Sequence, residues 1–180
     1  MMLLTTGLAS ACAAYVVFTL SSTGWVKLAT LRGTAHGLAR LWPRLPHRTV
    51  VFAALCLGVG EVALAGAAAL VPTGRLIAWA SAGLFTAFAV YNAAAARRSP
   101  RSNEPCLCAG AGSAAPEGSA YARSTANLVM AMAALVWGVG AATIPGWFKL
   151  VLLGIWALPL TVWAIRRSSV MLGDAVAGLH

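Results

Sequence analysis

The chain alternates between long apolar runs and short polar breaks. An apolar helix of about 20 residues covers the hydrocarbon core of a bilayer. Five runs reach that length. The first spans about Leu3 to Ser22. The second spans about Val50 to Val71 and ends at "VPTG", a turn signal. The third spans about Leu76 to Ala96 and stops at "RRSPRS". The fourth spans about Ala126 to Ile144 and ends at "IPGW". The fifth spans about Phe148 to Ile165 and stops at Arg166 and Arg167. The pattern predicts an all-α fold: a polytopic transmembrane helix bundle of about five membrane helices, four being the alternative. Residues 1–180 read as a single domain. Glycine and alanine are dense within the runs, which suits close helix contact in lipid. Trp42, Trp79, Trp147 and Trp163 fall near run ends, where interfacial tryptophans sit.

Composition strengthens this picture. Of 180 residues, 60% are hydrophobic and 9% charged, against about 25% charged in a soluble domain. Too few charges are present to build a water-facing surface. The formal net charge of +9 could suggest nucleic acid. The basic residues, however, cluster between apolar runs, as topology signals do, so no nucleic-acid partner is expected. Membrane lipid is the expected surrounding. The N-terminal stretch has no basic region before its apolar run and reads as a retained helix, not a cleaved signal.

Two breaks are long. Residues 23–49 contain "GWVKLATLRGTAHGLARLWPRLP", which predicts a short amphipathic helix on the membrane surface. Residues 97–125 contain "NEPCLCAGAG" and a Gly-, Ala- and Ser-rich stretch that reads as linker. With five spans, both breaks and the C-terminal tail share one side. That side holds eleven of the 13 Lys and Arg; Arg75 and Lys149 are on the other. The positive-inside rule then places the N-terminus outside the inner (plasma) membrane and the C-terminus in the cytoplasm. The two loop cysteines fall on the cytoplasmic side.

Those cysteines, Cys106 and Cys108, are the first candidates for chemistry. A Cys-x-Cys disulfide closes a small, strained ring, and strain makes a disulfide easier to reduce. Such a pair suits thiol–disulfide exchange. A metal half-site and two incidental cysteines are the alternatives. Zinc wants four ligands, and no second pair completes the set. No metal or cofactor is expected. Cys12 and Cys56 fall within predicted helices and read as small, buried apolar residues. His36, His47 and His180 form no ligand pattern.

Glu61 lies mid-run in "LGVGEVALAG". An ionisable group at that depth costs on the order of 3 kcal/mol on insertion scales, so it should face the interior and have a partner. Lys27, at the end of the first helix, is one candidate. Arg123, Asn92 and Asn127 are the others. Glu61 reads either as a buried structural group or as a proton donor or acceptor beside a functional site.

Taken in order, "SSTGWVKL", Glu61, "CLCAG" and "YARSTANLVMAMAAL" resemble the methylamine utilisation protein MauE family, grouped near the DoxX-like membrane proteins. The resemblance covers about Ser22 to Leu135. Gly24, Lys27 and Leu28 match a Ser-Gly-x-x-Lys-Leu motif, with Ser22 displaced by one. Glu61 matches a glutamate of the second helix, and because both belong to this motif set the resemblance makes Lys27 the first choice as its partner. Cys106, Cys108 and Gly110 match Cys-Gly-Cys-Phe-Gly, while Leu107 and Ala109 depart from it. Arg123 and Asn127 approximate an Arg-Asn pair. The resemblance implies a role in maturing a disulfide-rich periplasmic client enzyme with a thioredoxin-fold partner. Cys106 and Cys108 would exchange electrons with that partner, beside the membrane surface, with Lys27 and Glu61 assisting. Two other readings stand beside it: a membrane assembly scaffold with incidental cysteines, and a small-solute carrier coupled through Glu61.

Overall fold

A computed structural model describes residues 2–98 and 120–177. Among these residues the chain forms six α-helices. They are α1 (Met2–Ala29), α2 (Leu31–Leu41), α3 (His47–Leu70), α4 (Arg75–Arg98), α5 (Ala120–Gly140) and α6 (Phe148–Ala177), with a 3-10 turn, Ala141–Thr143, after α5. All except α2 contain a stretch long and apolar enough to cross a membrane. The fold is the all-α bundle that the hydropathy pattern predicts.

Each connection has a local cause. Pro43 and Pro46 separate α2 from α3; proline lacks the N–H that would continue a helix. Pro46 caps α3 in an extended conformation. Val71 to Gly74 turn tightly, the Gly74 N–H donating to the Val71 carbonyl at 2.9 Å. Pro145 and Gly146 turn α5 into α6, with the Phe148 N–H donating to the Pro145 carbonyl at 3.0 Å.

The packing fixes the helix directions. Gly140, at the end of α5, lies against Ala9 near the start of α1. Gly138 of α5 faces Ala78 near the start of α4. At the opposite end, the Ser124 hydroxyl of α5 donates to the Ala89 carbonyl of α4 at 2.9 Å. So α1 and α4 run one way and α5 the other. α3 also runs against α1: Gly24 meets Val62, while Leu28 meets Gly58. One end of the bundle therefore gathers the end of α1, the start of α3, the end of α4 and the start of α5. We call this the Lys27 end.

The core is built largely of alanine, with Leu20, Phe85, Met130 and Trp137 filling the wider gaps. Small residues bring the backbones close, which supplies packing where lipid offers no hydrophobic contrast. α6 packs on α1 and α3; its Leu152 is buried in this core, while much of its remaining surface faces outward. The Ser21 hydroxyl donates to the Trp156 carbonyl at 2.6 Å, and the Trp156 indole N–H donates to the Val62 carbonyl at 3.1 Å.

The expected amphipathic helix is α2. Ala35 and Leu38 are buried with Val50 and Ala54 of α3, while Arg32 and His36 face outward. The expected span limits need three corrections. The first run, read as ending at Ser22, continues as helix to Ala29, so Lys27 lies within a helix and not in a loop. α5 starts at Ala120 instead of about Ala126, and α6 continues to Ala177 past Ile165. The cause is shared. Hydropathy registers only the apolar centre, whereas a helix bonds its own backbone and can continue through polar residues.

Candidate functional site

α1 and α3 cross at two glycines. A Cβ on Gly24 would lie 2.7 Å from Val62 Cγ2 and 3.0 Å from the Gly58 carbonyl oxygen. One on Gly58 would lie 3.0 Å from Leu28 Cγ. Here glycine is required by close backbone approach. Each glycine stands three residues before a charge: Gly24 before Lys27, and Gly58 before Glu61. Helical spacing of three puts glycine and charge on neighbouring parts of one face. The crossing therefore brings the charges together.

Side chains on a helix lean toward its N-terminus. Because α1 and α3 are antiparallel, Lys27 leans inward from the end of α1, and Glu61 leans toward it. Lys27 Nζ donates to Glu61 Oε1 in a buried ion pair. Side-chain exposures are 0% for Lys27 and 1% for Glu61. A lysine this close to a span end ordinarily extends its ammonium to the interface. Lys27 turns the other way. A second helix holds it there: its ammonium lies 4.8 Å from the centre of the Phe88 ring of α4, within cation–π range. The Thr23 hydroxyl, one turn before Lys27, lies 3.0 Å from Glu61 Oε2 and 2.9 Å from the Thr19 carbonyl oxygen.

Sequence reasoning expected Lys27 to meet Glu61, and the two are paired. Arg123, also a candidate partner, makes no ion pair with Glu61 among the described residues. It is half-buried on α5, and its Nε has no hydrogen-bond partner there. Asn92 on α4 and Asn127 on α5 are both buried at the Lys27 end. Thr23, Phe88 and Gly58 were not identified from sequence. A signal existed for two of them. Thr23 precedes Lys27 by four residues, and "GVGE" repeats the Gly-to-charge spacing of "GWVK". Phe88 comes from a distant helix, and nothing local marks it.

Cys106 and Cys108, expected beside the membrane surface, lie outside the described residues. The helices flanking their segment, α4 and α5, end and begin at the Lys27 end. Cys12 is half-buried against the core. Cys56 departs from expectation: it is exposed on the outer face of α3, not buried. A single cysteine per few turns is small enough for either the core or a lipid-facing side, so hydropathy does not tell them apart. Both thiols are free. No group of three or more potential metal ligands occurs among the described residues.

No curated protein and no solved structure matches the chain. A family model does, over residues 5–140, and that region takes in Lys27, Glu61, Cys106 and Cys108. With three quarters of its length matched, from α1 to the end of α5, this multi-pass membrane chain belongs to the family described as methylamine utilisation protein MauE.

Proposed function

We propose that this protein is a thiol–disulfide exchange component of the plasma (inner) membrane, supporting maturation of a disulfide-containing extracytoplasmic protein. Its exchange partner is a thioredoxin-fold protein. The observation that carries this reading is the placement of a dehydrated Lys27–Glu61 pair at the end of the bundle where the Cys106–Cys108 segment joins α4 to α5. A buried charge pair is weak evidence for stability but good evidence for use. A lysine ammonium favours a nearby thiolate over the thiol.

The exchange is balanced as follows. A thiolate of the reduced pair attacks the partner's disulfide and forms a mixed disulfide, releasing one partner thiolate. The second cysteine attacks the mixed bond and closes the Cys106–Cys108 ring. Two electrons pass to the partner, which takes up two protons as it becomes a dithiol; the reverse reaction is equally allowed. Gly110, without a side chain, lets a partner's backbone approach the pair.

The charge distribution supports a cytoplasmic Lys27 end. With five spans, the sequence assigns eleven of the 13 Lys and Arg to that side of the membrane, and Arg75 and Lys149 to the other. Thiol labelling tests side and redox state together. In intact cells, an impermeant reagent should leave Cys106 and Cys108 unmodified. In inverted vesicles it should modify them after reduction and not after oxidation. Modification in intact cells would reverse the orientation. Cys106→Ser or Cys108→Ser should trap a mixed disulfide with a thioredoxin-fold protein or abolish client maturation. If both single changes leave maturation intact, the exchange role is wrong and the scaffold reading replaces it.

A further inference from the structure

We propose that Glu61 is a proton-accepting site whose protonated form is held by Thr23. A threonine hydroxyl has one proton to give. Thr23 Oγ1 lies 2.9 Å from the Thr19 carbonyl oxygen and 3.0 Å from Glu61 Oε2. With Glu61 ionised, both neighbours are acceptors, and one proton cannot serve both. The hydroxyl then donates to Oε2, and the Thr19 carbonyl keeps its helical N–H bond. Place a proton on Oε2 and all three atoms match: Glu61 donates to Thr23 Oγ1, and Thr23 donates to the Thr19 carbonyl. The cluster has a satisfied arrangement for each state, and a rotation about one C–O bond separates them.

Lys27 is provided for in the same way. Its ammonium bonds Oε1 and lies 4.8 Å from the Phe88 ring centre. When the carboxyl is neutral, the ring remains as an electrostatic partner that needs no opposite charge. Each half of the ion pair thus has a second partner independent of the other's charge. Of the elements packed on α3, α1 presents Lys27 as its titratable group here, and α4 presents Phe88, buried Asn92 and Tyr91, the last packed against the cluster that holds Val50 and Ala54 of α3. α6 presents Trp156, and His36 of α2 faces outward. Arg123, on α5, is half-buried at the same end. Proton uptake converts carboxylate to carboxylic acid, moves no electrons and breaks no covalent bond. The inference rests on these side chains alone and stands apart from the exchange reading.

Infrared difference spectroscopy tests it on the full chain in lipid, acidic minus alkaline, with circular dichroism confirming the fold at both limits. The expected result is a protonated-carboxyl C=O band that is absent from Glu61→Gln. In Thr23→Val, which keeps shape but removes the hydroxyl, that band should move to higher frequency, because the acid has lost its acceptor. Thr23→Ser should return it to the original position. If Thr23→Val does not fold, Thr23→Ala makes the same comparison. Absence of any Glu61-dependent band overturns the proposal. So does a band at the same frequency with and without the Thr23 hydroxyl. Labelling of Cys106 and Cys108 in the same variants reports separately on the exchange reading.

Discussion

The two ends of the bundle close in the same way around different contents. At the far end, Gly140 meets Ala9, Gly138 meets Ala78, and the buried Trp137 indole donates to the Pro72 carbonyl at 2.8 Å. These buried contacts are apolar or neutral hydrogen bonds, and the charges at that end, Arg75 and Lys149, are exposed. At the Lys27 end, Gly24 and Gly58 make an equally close crossing, but it encloses a charge pair. Close packing therefore does not require the charges. Removing two ions from water costs several kcal/mol each, and apolar residues of similar volume often do as well or better. The far end is built for stability, whereas the Lys27 end gives up some stability to retain ionisable groups.

The largest expected effect breaks that comparison directly. Glu61→Ala leaves Lys27 buried without its counter-charge and should cost about 3–5 kcal/mol in detergent unfolding. Glu61→Gln should cost less, since its amide oxygen still accepts from Lys27. The double change Lys27→Met with Glu61→Leu should recover most of the loss, yet abolish client maturation. If the double variant is as unstable as Glu61→Ala, the pair is holding the bundle together and the two ends do not differ in kind.

A smaller effect sharpens it. A Cβ at Gly140 would lie 2.6 Å from Ala9 Cβ, and one at Gly24 would lie 2.7 Å from Val62 Cγ2. Gly140→Ala and Gly24→Ala should therefore each destabilise by about 1–3 kcal/mol through overpacking. Their functional consequences should part. Gly24→Ala pushes α1 from α3 where the ion pair forms, so maturation falls out of proportion to stability. Gly140→Ala should reduce maturation only as far as it reduces folded protein. Equal functional losses would mean that the crossing at Gly24 does no more than pack.

How much of this was legible in the sequence follows from range. The five apolar runs are local signals, and each corresponds to a helix. Glu61 was legible because a charge in an apolar run demands an explanation, and Lys27 because it shares a motif set with Glu61 in the family that the chain resembles. The helix ends were harder. Lys27 resembled a stop signal, since a lysine after an apolar run usually marks the interface. Its charge is instead met by a residue 34 positions away, so α1 continues past it. Phe88 and the Gly24–Gly58 contact depend on which helices are neighbours, and no periodicity within one helix carries that information. The exposed position of Cys56 was hidden for a related reason. In lipid, outward and inward faces are both apolar, so α3 lacks the polar face that would have oriented it.

The smallest expected effect concerns α6, which lies beyond the residues matched by the family. It is anchored by Ser21 and by the Trp156 indole, but much of its surface faces away from the bundle. Leu158 is 51% exposed. A leucine deleted from a protein core leaves a cavity, and that cavity accounts for much of the loss. A leucine deleted from a lipid-facing surface leaves none, because acyl chains fill the space and are as apolar as the side chain they replace. Leu158→Ala should therefore change stability by no more than about 0.5 kcal/mol. Unfolding in lipid bicelles checks this, with the protein dilute enough to remain monomeric. A loss several times larger would mean that protein, not lipid, covers this face of α6. The contrast between a sealed bundle and an outer helix would then need to be redrawn around an assembly.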